Sequence, residues 1–167
     1  MFSSHSRSNT PKKENNKNQS NLPHDGVKYI DYNEKVQKIL NELLDNFPDI
    51  SVILLSTSEG VPLLHSLNPR VPIDHLPLDI LHTKGATIFS SAAEMGGKMG
   101  IGECRNMLSM YANFTIMYIN LFPFVVTVVT EDVGANLGLI STLIERKLAL
   151  PLHVMAKAIE GIAEEEA

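Results

Sequence analysis

A glycine-rich stretch is the first feature with the composition of a phosphate-binding loop. It covers residues 96–102 and reads Gly-Gly-Lys-Met-Gly-Ile-Gly. Phosphate-binding loops place their glycines after a strand and before a helix, so that the helix amides face the phosphate. Here the glycines are predicted to follow a helix and precede a strand, and their spacing fits neither the dinucleotide motif nor the P-loop. We therefore interpret the stretch as a helix C-terminus with a glycine turn, and Lys98 near the negative end of the dipole.

Residue types that hold metals or act as nucleophiles are present, but their spacing does not suit those roles. His65, His75 and His82 fall on a strand, a loop and a helix start, and no two have the i,i+4 spacing of a helical zinc pair. Cys104 has no second cysteine for a redox motif. The acidic pair at residues 131–132 is predicted to be a solvated turn, and no nucleophile elbow occurs. The sequence therefore predicts no catalytic residue, no metal and no cofactor, and indicates a protein that is not an enzyme.

Charge and hydropathy bear on the partners of the chain. The net charge is −5 over 167 residues, but residues 1–28 hold five basic and two acidic groups (+3), which leaves −8 for the rest. A domain that acidic is a poor nucleic-acid binder. The single cysteine suits a reducing compartment. No apolar run reaches the ~18 residues of a membrane span, and neither a signal peptide nor a lipidation motif is predicted. We expect any membrane attachment to come through another protein.

Five short apolar runs predict the strands that must position any functional surface. Two of them form a hairpin and the other three follow one another with two-residue breaks, as in an antiparallel meander. They cover residues 50–57, 61–66, 104–111, 114–121 and 124–130. In the last two runs both faces are mainly apolar, whereas a sheet with one wet face would alternate. We therefore expect helices to cover the sheet on both sides.

Three amphipathic segments supply those helices. The first begins near Asp31 or Asn33 as N-cap, the second runs over residues 79–99, and the third follows Asn136. Pro151 is expected to kink the third helix or split it in two. The element order α-β-β-α-β-β-β-α predicts one α+β domain.

The limits of that domain follow from composition. Residues 1–28 are rich in Ser, Asn and Lys, which indicates a disordered tail. The folded domain is predicted at residues 29–163. Residues 164–167 are acidic at a helix C-terminus, where the dipole disfavours them, so this end is expected to fray.

One edge of the predicted sheet lacks the usual protection against pairing with another chain. Pro62 places the strand 61–66 at an edge, because proline cannot donate to a ladder. The run 104–111 is predicted at the opposite edge, has no proline, and carries Arg105 as its only charge. An edge of this kind is an aggregation hazard unless a partner strand covers it. We expect Ser109 to offer its N–H to that partner.

The second helix carries two stripes that could face either the sheet or a partner. We assign one to the chain's own sheet: Leu81, Gly85, Ile88, Ala92, Met95 and Met99. We assign the other, with small side chains that permit close packing, to a partner: Ala86, Phe89, Ser90, Ala93 and Gly97. With the open edge, this predicts an interface that comprises Phe89, Ser90, Ala93, Gly97, Met107, Ser109 and Tyr111.

Local sequences in the same order resemble the roadblock / dynein light chain family over about residues 47–158. They are Glu-Gly-Val-Pro at 59–62, Lys-Met-Gly-Ile at 98–101, Tyr111, Asn120 with Pro123 three residues later, and Asn-Leu-Gly-Leu-Ile at 136–140. The resemblance implies that the domain at 29–163 is a roadblock domain, a profilin-like α/β/α sandwich with strand order 2-1-5-4-3, one helix on one face and two on the other. It also implies a heterodimer with a second roadblock subunit through the second helix and third strand.

Within that family the resemblance is to the Ragulator-type scaffolds. It implies an adaptor on the cytoplasmic face of late endosomes or lysosomes, which positions MAP-kinase pathway kinases and Rag GTPases for TORC1 activation. Membrane attachment would come from a lipidated partner subunit. A homodimeric dynein light chain and a GTPase-regulating roadblock protein are the alternatives with the same fold.

Overall fold

The computed structural model of the chain describes residues 24–71, 77–131 and 136–165, and its side chains between residues 32 and 161 of those ranges. Its elements are α1 (His24–Asn46), β1 (Ile50–Thr57), β2 (Pro62–Leu67), α2 (Leu78–Lys98), β3 (Asn106–Met110), β4 (Thr115–Leu121), β5 (Phe124–Thr130) and α3 (Leu137–Glu165). The strands form one antiparallel sheet in the order β2-β1-β5-β4-β3. The predicted element order, strand order and α+β class are confirmed.

The central strands are apolar on both faces because a helical layer covers each face. All seven residues of β5 are buried, as are the first seven of β1. On one face α1 and α3 pack side by side over a cluster that includes Leu40, Ile53 and Ile144. On the other face α2 lies alone over a cluster that includes Val52 and Tyr118. The expected arrangement of two helices against one is therefore confirmed.

Both terminal helices extend beyond the predicted domain limits. Helix α1 begins at His24, before the predicted caps, so residues 24–28 of the predicted tail are helical. Residues 1–23 lie outside the described residues. Helix α3 continues through Pro151 to Glu165, so of the two outcomes expected at this proline the split is wrong, and the kink stays a prediction. The domain limits at residues 29 and 163 stay predictions.

The face of α2 that meets the sheet takes residues from both predicted stripes: Leu81 and Gly85 from the stripe assigned to the sheet, and Ala86 and Phe89 from the stripe assigned to a partner. Phe89 is 2% exposed and stacks on Tyr118, with ring centroids 6.2 Å apart. Gly85 lets the helix approach closely at this point, since a Cβ there would lie 3.1 Å from the Tyr118 ring. Met95 and Met99, which we assigned to the sheet, are 66% and 69% exposed. The helix is rotated so that its one large aromatic side chain, rather than its flexible methionines, fills the space above the sheet.

Candidate partner-binding surface

The β2 edge of the sheet is closed by the chain itself. Asn68 donates its N–H to the Ser51 carbonyl (2.9 Å), and in an antiparallel ladder this sets the backbone of His65 pointing outward. The Gln37 amide of α1 donates to that His65 carbonyl at 3.0 Å. Pro62 at the start of the strand has no N–H to offer. One side-chain hydrogen bond to the His65 carbonyl and one proline therefore obstruct this edge against a further strand.

Among the described residues, the β3 edge has no such cover at Leu108 and Met110, although the Cys104 thiol donates weakly to the Asn106 carbonyl (3.6 Å). Tyr111 donates its N–H to Phe114 (2.8 Å) and Asn120 donates to Arg105 (2.8 Å), which identifies these as the hydrogen-bonded pairs of the β3–β4 ladder. Such pairs alternate along an antiparallel ladder. The N–H and C=O groups of Leu108 therefore point away from β4, as do those of its even-numbered neighbours 106 and 110. Among the described residues no strand lies beyond β3.

The same alternation corrects the predicted edge donor. Ser109 is paired with Ile116, at an odd-numbered position whose N–H faces β4. The expectation that Ser109 donates outward is therefore wrong, and Leu108 and Met110 hold that place. The two-residue loop 112–113 contained the signal, because the residues flanking such a loop form a hydrogen-bonded pair and so set the alternation.

The predicted edge residues do share the face of the sheet that α2 covers. Met107 and Ser109 pair with Tyr118 and Ile116, both in the cluster under α2, and Met107 packs against that cluster. Tyr111 is 58% exposed at the end of the same row. Burial raises the pKa of the Tyr118 phenol, with the nearby Tyr111 as a smaller cause, so Tyr118 remains neutral and suited to the core. The three edge positions offer a partner one mostly apolar row.

A cavity shows which flank of α2 lies toward β3. It has a volume of about 500 Å³ and is bounded by the start of α2 and the β3–β4 turn, with the lining residues Pro77, Leu81, Tyr111, Ala112, Asn113, Phe114 and Ile116. Positions seven apart on a helix lie on nearly the same flank. Ile88 and Met95 therefore continue the flank of Leu81, and both are more than half exposed. This outer flank of α2, with Met99, is the helical surface that the sequence analysis missed.

The helical residues that we predicted for the interface divide into two groups. Phe89 is buried against Tyr118, and the Ser90 hydroxyl donates to the Ser58 carbonyl at 2.7 Å, so both are engaged within the chain. Ala93 and Gly97 instead line a second cavity of about 380 Å³, together with the segment that leads into β3 and with Phe122. The structure therefore brings only Ala93 and Gly97 of this group beside the open edge.

The described residues also place the glycine-rich stretch and the potential metal ligands. The glycine-rich stretch is a helix end: Met99 donates its N–H to Met95, and Gly100 and Gly102 adopt φ of +71° and +94°. A helix C-terminus presents carbonyls, which repel phosphate. No group of three potential metal ligands occurs within residues 24–71, 77–131 and 136–165. No helix in these ranges combines the length and hydropathy needed to cross a bilayer.

Comparisons with known proteins agree with this geometry. A family model described as "Mitogen-activated protein kinase kinase 1 interacting" matches residues 34–159. The chain belongs to this family. The chain is similar to Ragulator complex protein LAMTOR3 of Mus musculus (26% identical) and of Homo sapiens (25%), each over 127 residues, or 76% of this chain and 97% of the relative.

Solved structures show the same fold. The gliding protein MglB of Thermus thermophilus matches with a TM-score of 0.63 and 20% identity, over 75% of this chain and 91% of that one. A Roadblock/LC7 domain from Streptomyces avermitilis matches with a TM-score of 0.54 and 11% identity, over 77% and 95%. The predicted membership of the roadblock fold family, close to LAMTOR3, is thereby confirmed.

Proposed function

We propose that this chain is a non-enzymatic scaffold subunit of a Ragulator-like complex, which forms a heterodimer with a second roadblock subunit through β3 and the outer flank of α2. The observation that carries the proposal is the difference between the two sheet edges. Gln37 and Pro62 obstruct the β2 edge, whereas the backbone donors and acceptors of Leu108 and Met110 point away from β4, where the described residues supply no further strand. Unpaired strand edges attract another strand.

Apolar side chains beside that edge supply the energy for pairing. The exposed large side chains on the outer flank of α2 and along β3 are Ile88, Met95, Met99, Leu108, Met110 and Tyr111. Complete burial of one such side chain is worth roughly 1.5–3 kcal/mol. Because the six are 49–69% exposed, burying what remains exposed is worth roughly 5–11 kcal/mol in total, which is comparable to the roughly 4–15 kcal/mol lost in translational and rotational freedom on association. An interface of standard size buries about 800 Å² on each partner, which a strand and a helix flank can provide.

We base the proposed partners, pathway and location of the complex on the names of the relatives. LAMTOR3 is named as a Ragulator complex protein and the family as interacting with a MAP kinase kinase. We propose that the paired subunit docks MAP-kinase pathway kinases and Rag GTPases, contributes to TORC1 activation, and resides on the cytoplasmic face of late endosomes or lysosomes. A lipidated partner subunit supplies the membrane attachment. No cofactor or nucleic acid takes part.

Co-expression with candidate partners tests the heterodimer. The chain is produced alone, and together with each roadblock subunit of the same genome, and its mass is measured by size-exclusion chromatography with light scattering. A 1:1 complex with one subunit is the expected result, and a Leu108→Pro variant is expected to form it with a Kd raised roughly 5- to 150-fold. A chain that stays monomeric at micromolar concentration beside every candidate refutes the proposal.

A homodimer is the second candidate, favoured by one observation. The outward backbone groups at residues 106, 108 and 110 are symmetric about Leu108, so β3 is able to pair with a second copy of itself through a two-fold axis. This is the arrangement expected of a dynein-light-chain-type protein. A mass of twice the chain in the absence of any partner supports it over the heterodimer. Acceleration of GTP hydrolysis by an added Rag GTPase would instead indicate the GTPase-regulating alternative.

A further inference from the structure

An open cavity lies beside the proposed interface and has no assigned occupant. It is the space of about 500 Å³ between the start of α2 and the β3–β4 turn, and its lining is mostly apolar. Leu81 and Phe114 form its inner wall and pack against the cluster under α2. Tyr111, 58% exposed, and Ala112 form its outer rim. We call this space the Leu81 cavity.

The pairing geometry of β3 determines which part of a partner reaches the Leu81 cavity. A two-fold arrangement makes the two edge strands antiparallel. The register centred on Leu108 uses all three outward-facing residues. Residue 111 lies three positions from that centre, about 10 Å along the strand. Residues 111–112 then lie opposite the partner segment that immediately precedes the partner's third strand.

In this chain the corresponding segment carries an exposed apolar side chain. Ile101 follows the end of α2 and is 75% exposed. Its N–H donates to the Gly96 carbonyl (3.4 Å), and its side chain rests against Gly96, so its position is defined by α2. Ile101 lies at the end of α2 opposite to Leu81. A two-fold axis between the helices therefore brings the Ile101 end of one subunit to the Leu81 end of the other.

We propose that the Leu81 cavity receives an apolar side chain of the roadblock partner, from the segment between its second helix and third strand, and that Ile101 enters the equivalent cavity of the partner. This inference rests on the proposed heterodimer and adds two reciprocal anchors at the ends of the strand pair. Their occupancy sets the register, because a shift of the strands by two residues withdraws both anchors together.

The cavity is tested by obstructing its rim in the complex obtained by co-expression. Ala112→Arg places a long charged side chain at the rim, and Ala149→Arg, at an exposed position of α3, is the matched control. We expect the Kd of the complex to rise at least tenfold for Ala112→Arg and to change less than twofold for Ala149→Arg. Thermal unfolding of the isolated chain should be the same for both. An unchanged Kd for Ala112→Arg overturns the proposal.

Ile101 is tested in the same complex by removal of its apolar side chain. Ile101→Ser is compared with Leu150→Ser, since Leu150 has nearly the same exposure (71%) on α3. A rise in Kd of about tenfold is expected only for Ile101→Ser.

A photo-crosslinker in place of Tyr111 supplies an independent readout of the occupant. It should link to the partner residues that precede its third strand, and links to any other segment count against the proposal. If Leu108→Pro raises the Kd of the complex while both anchor variants leave it unchanged, the proposed heterodimer is supported and the two anchors are wrong. If Leu108→Pro leaves the Kd unchanged, the proposed heterodimer surface itself is wrong.

Discussion

Proline substitutions at neighbouring positions of β3 separate pairing with a partner from folding. Leu108 directs its N–H outward, whereas Ser109 directs its N–H to β4. Leu108→Pro should therefore remove a donor that only a partner uses, and Ser109→Pro one that only the monomer uses. The residue before Leu108 is already in a strand, the conformation that proline favours for its predecessor.

The expected magnitudes differ accordingly. Loss of the outward hydrogen bond, with a partner carbonyl left unsatisfied, costs about 1–3 kcal/mol of association, which raises the Kd roughly 5- to 150-fold. In Ser109→Pro the carbonyl of Ile116, a buried residue, loses its donor, and about 1–3 kcal/mol of folding free energy is lost. For a domain of this size that loss lowers the melting temperature of the monomer by about 3–12 °C.

Two measurements on the same preparations show whether each proline substitution weakens pairing or folding. The melting temperature of the isolated chain is followed by circular dichroism, and the Kd with the co-expressed partner by calorimetry. Leu108→Ala is the control, because it shortens the side chain and keeps the N–H. The reasoning is refuted if Leu108→Pro destabilises the monomer as much as Ser109→Pro does, or if Ser109→Pro weakens pairing with no change in the monomer.

Three further predictions concern α2 and its contacts. Phe89→Ala should lower the free energy of unfolding by about 3–5 kcal/mol in urea denaturation, because Phe89 is 2% exposed. Met95→Glu, at an exposed position, should leave the stability of the monomer unchanged and weaken pairing. If Met95→Glu destabilises the monomer more than Phe89→Ala does, Met95 faces the sheet and Phe89 faces the partner. Gly97→Ala should raise monomer stability by about 0.5–1 kcal/mol, since a Cβ there meets no atom within 4 Å. Gly60→Ala should lower it by about 1–3 kcal/mol, because φ is +91° and the Cβ would lie 2.7 Å from the Thr83 carbonyl oxygen. Equal changes of stability in the denaturation curves of the two variants would contradict this account. Burial, with the nearby His65 as a smaller cause, lowers the pKa of His82 below 6.5. The unfolded chain therefore binds more protons at this residue, and stability should fall as the pH drops below about 6.5. Melting curves from pH 7.5 to 5 should show this decline in melting temperature, and His82→Leu should make the decline smaller.

Strand positions and the sheet edges were accessible from the sequence for local reasons. Two-residue breaks between apolar runs favour a meander, and Pro62 excludes its strand from the interior of a sheet. The end of α2 was equally readable, because Gly100 adopts the positive φ with which helices commonly end. These features depend on residues that are adjacent in the chain, so they are visible in the sequence.

The candidate interface was only partly accessible. The sequence analysis named residues 107, 109 and 111 for the open edge without assigning them to a face, and the structure places them on the α2 face of the sheet. The outward donors required the ladder alternation as well, which places them at Leu108 and Met110. The partner contact itself stays a prediction for all seven residues named from the sequence.

The rotation of α2 is what only the tertiary structure decided. Both stripes of that helix have apolar residues at helical spacing, so periodicity alone supports either face. Strand β4 determines which face of α2 meets the sheet, because its Tyr118 ring stacks on Phe89 and packs closely against Gly85, which has no side chain. Those residues are far apart in the chain. By itself the sequence determined which segments form helices and strands and which edge is unprotected; the packing of side chains distant in sequence determined which side chains remain outside for a partner.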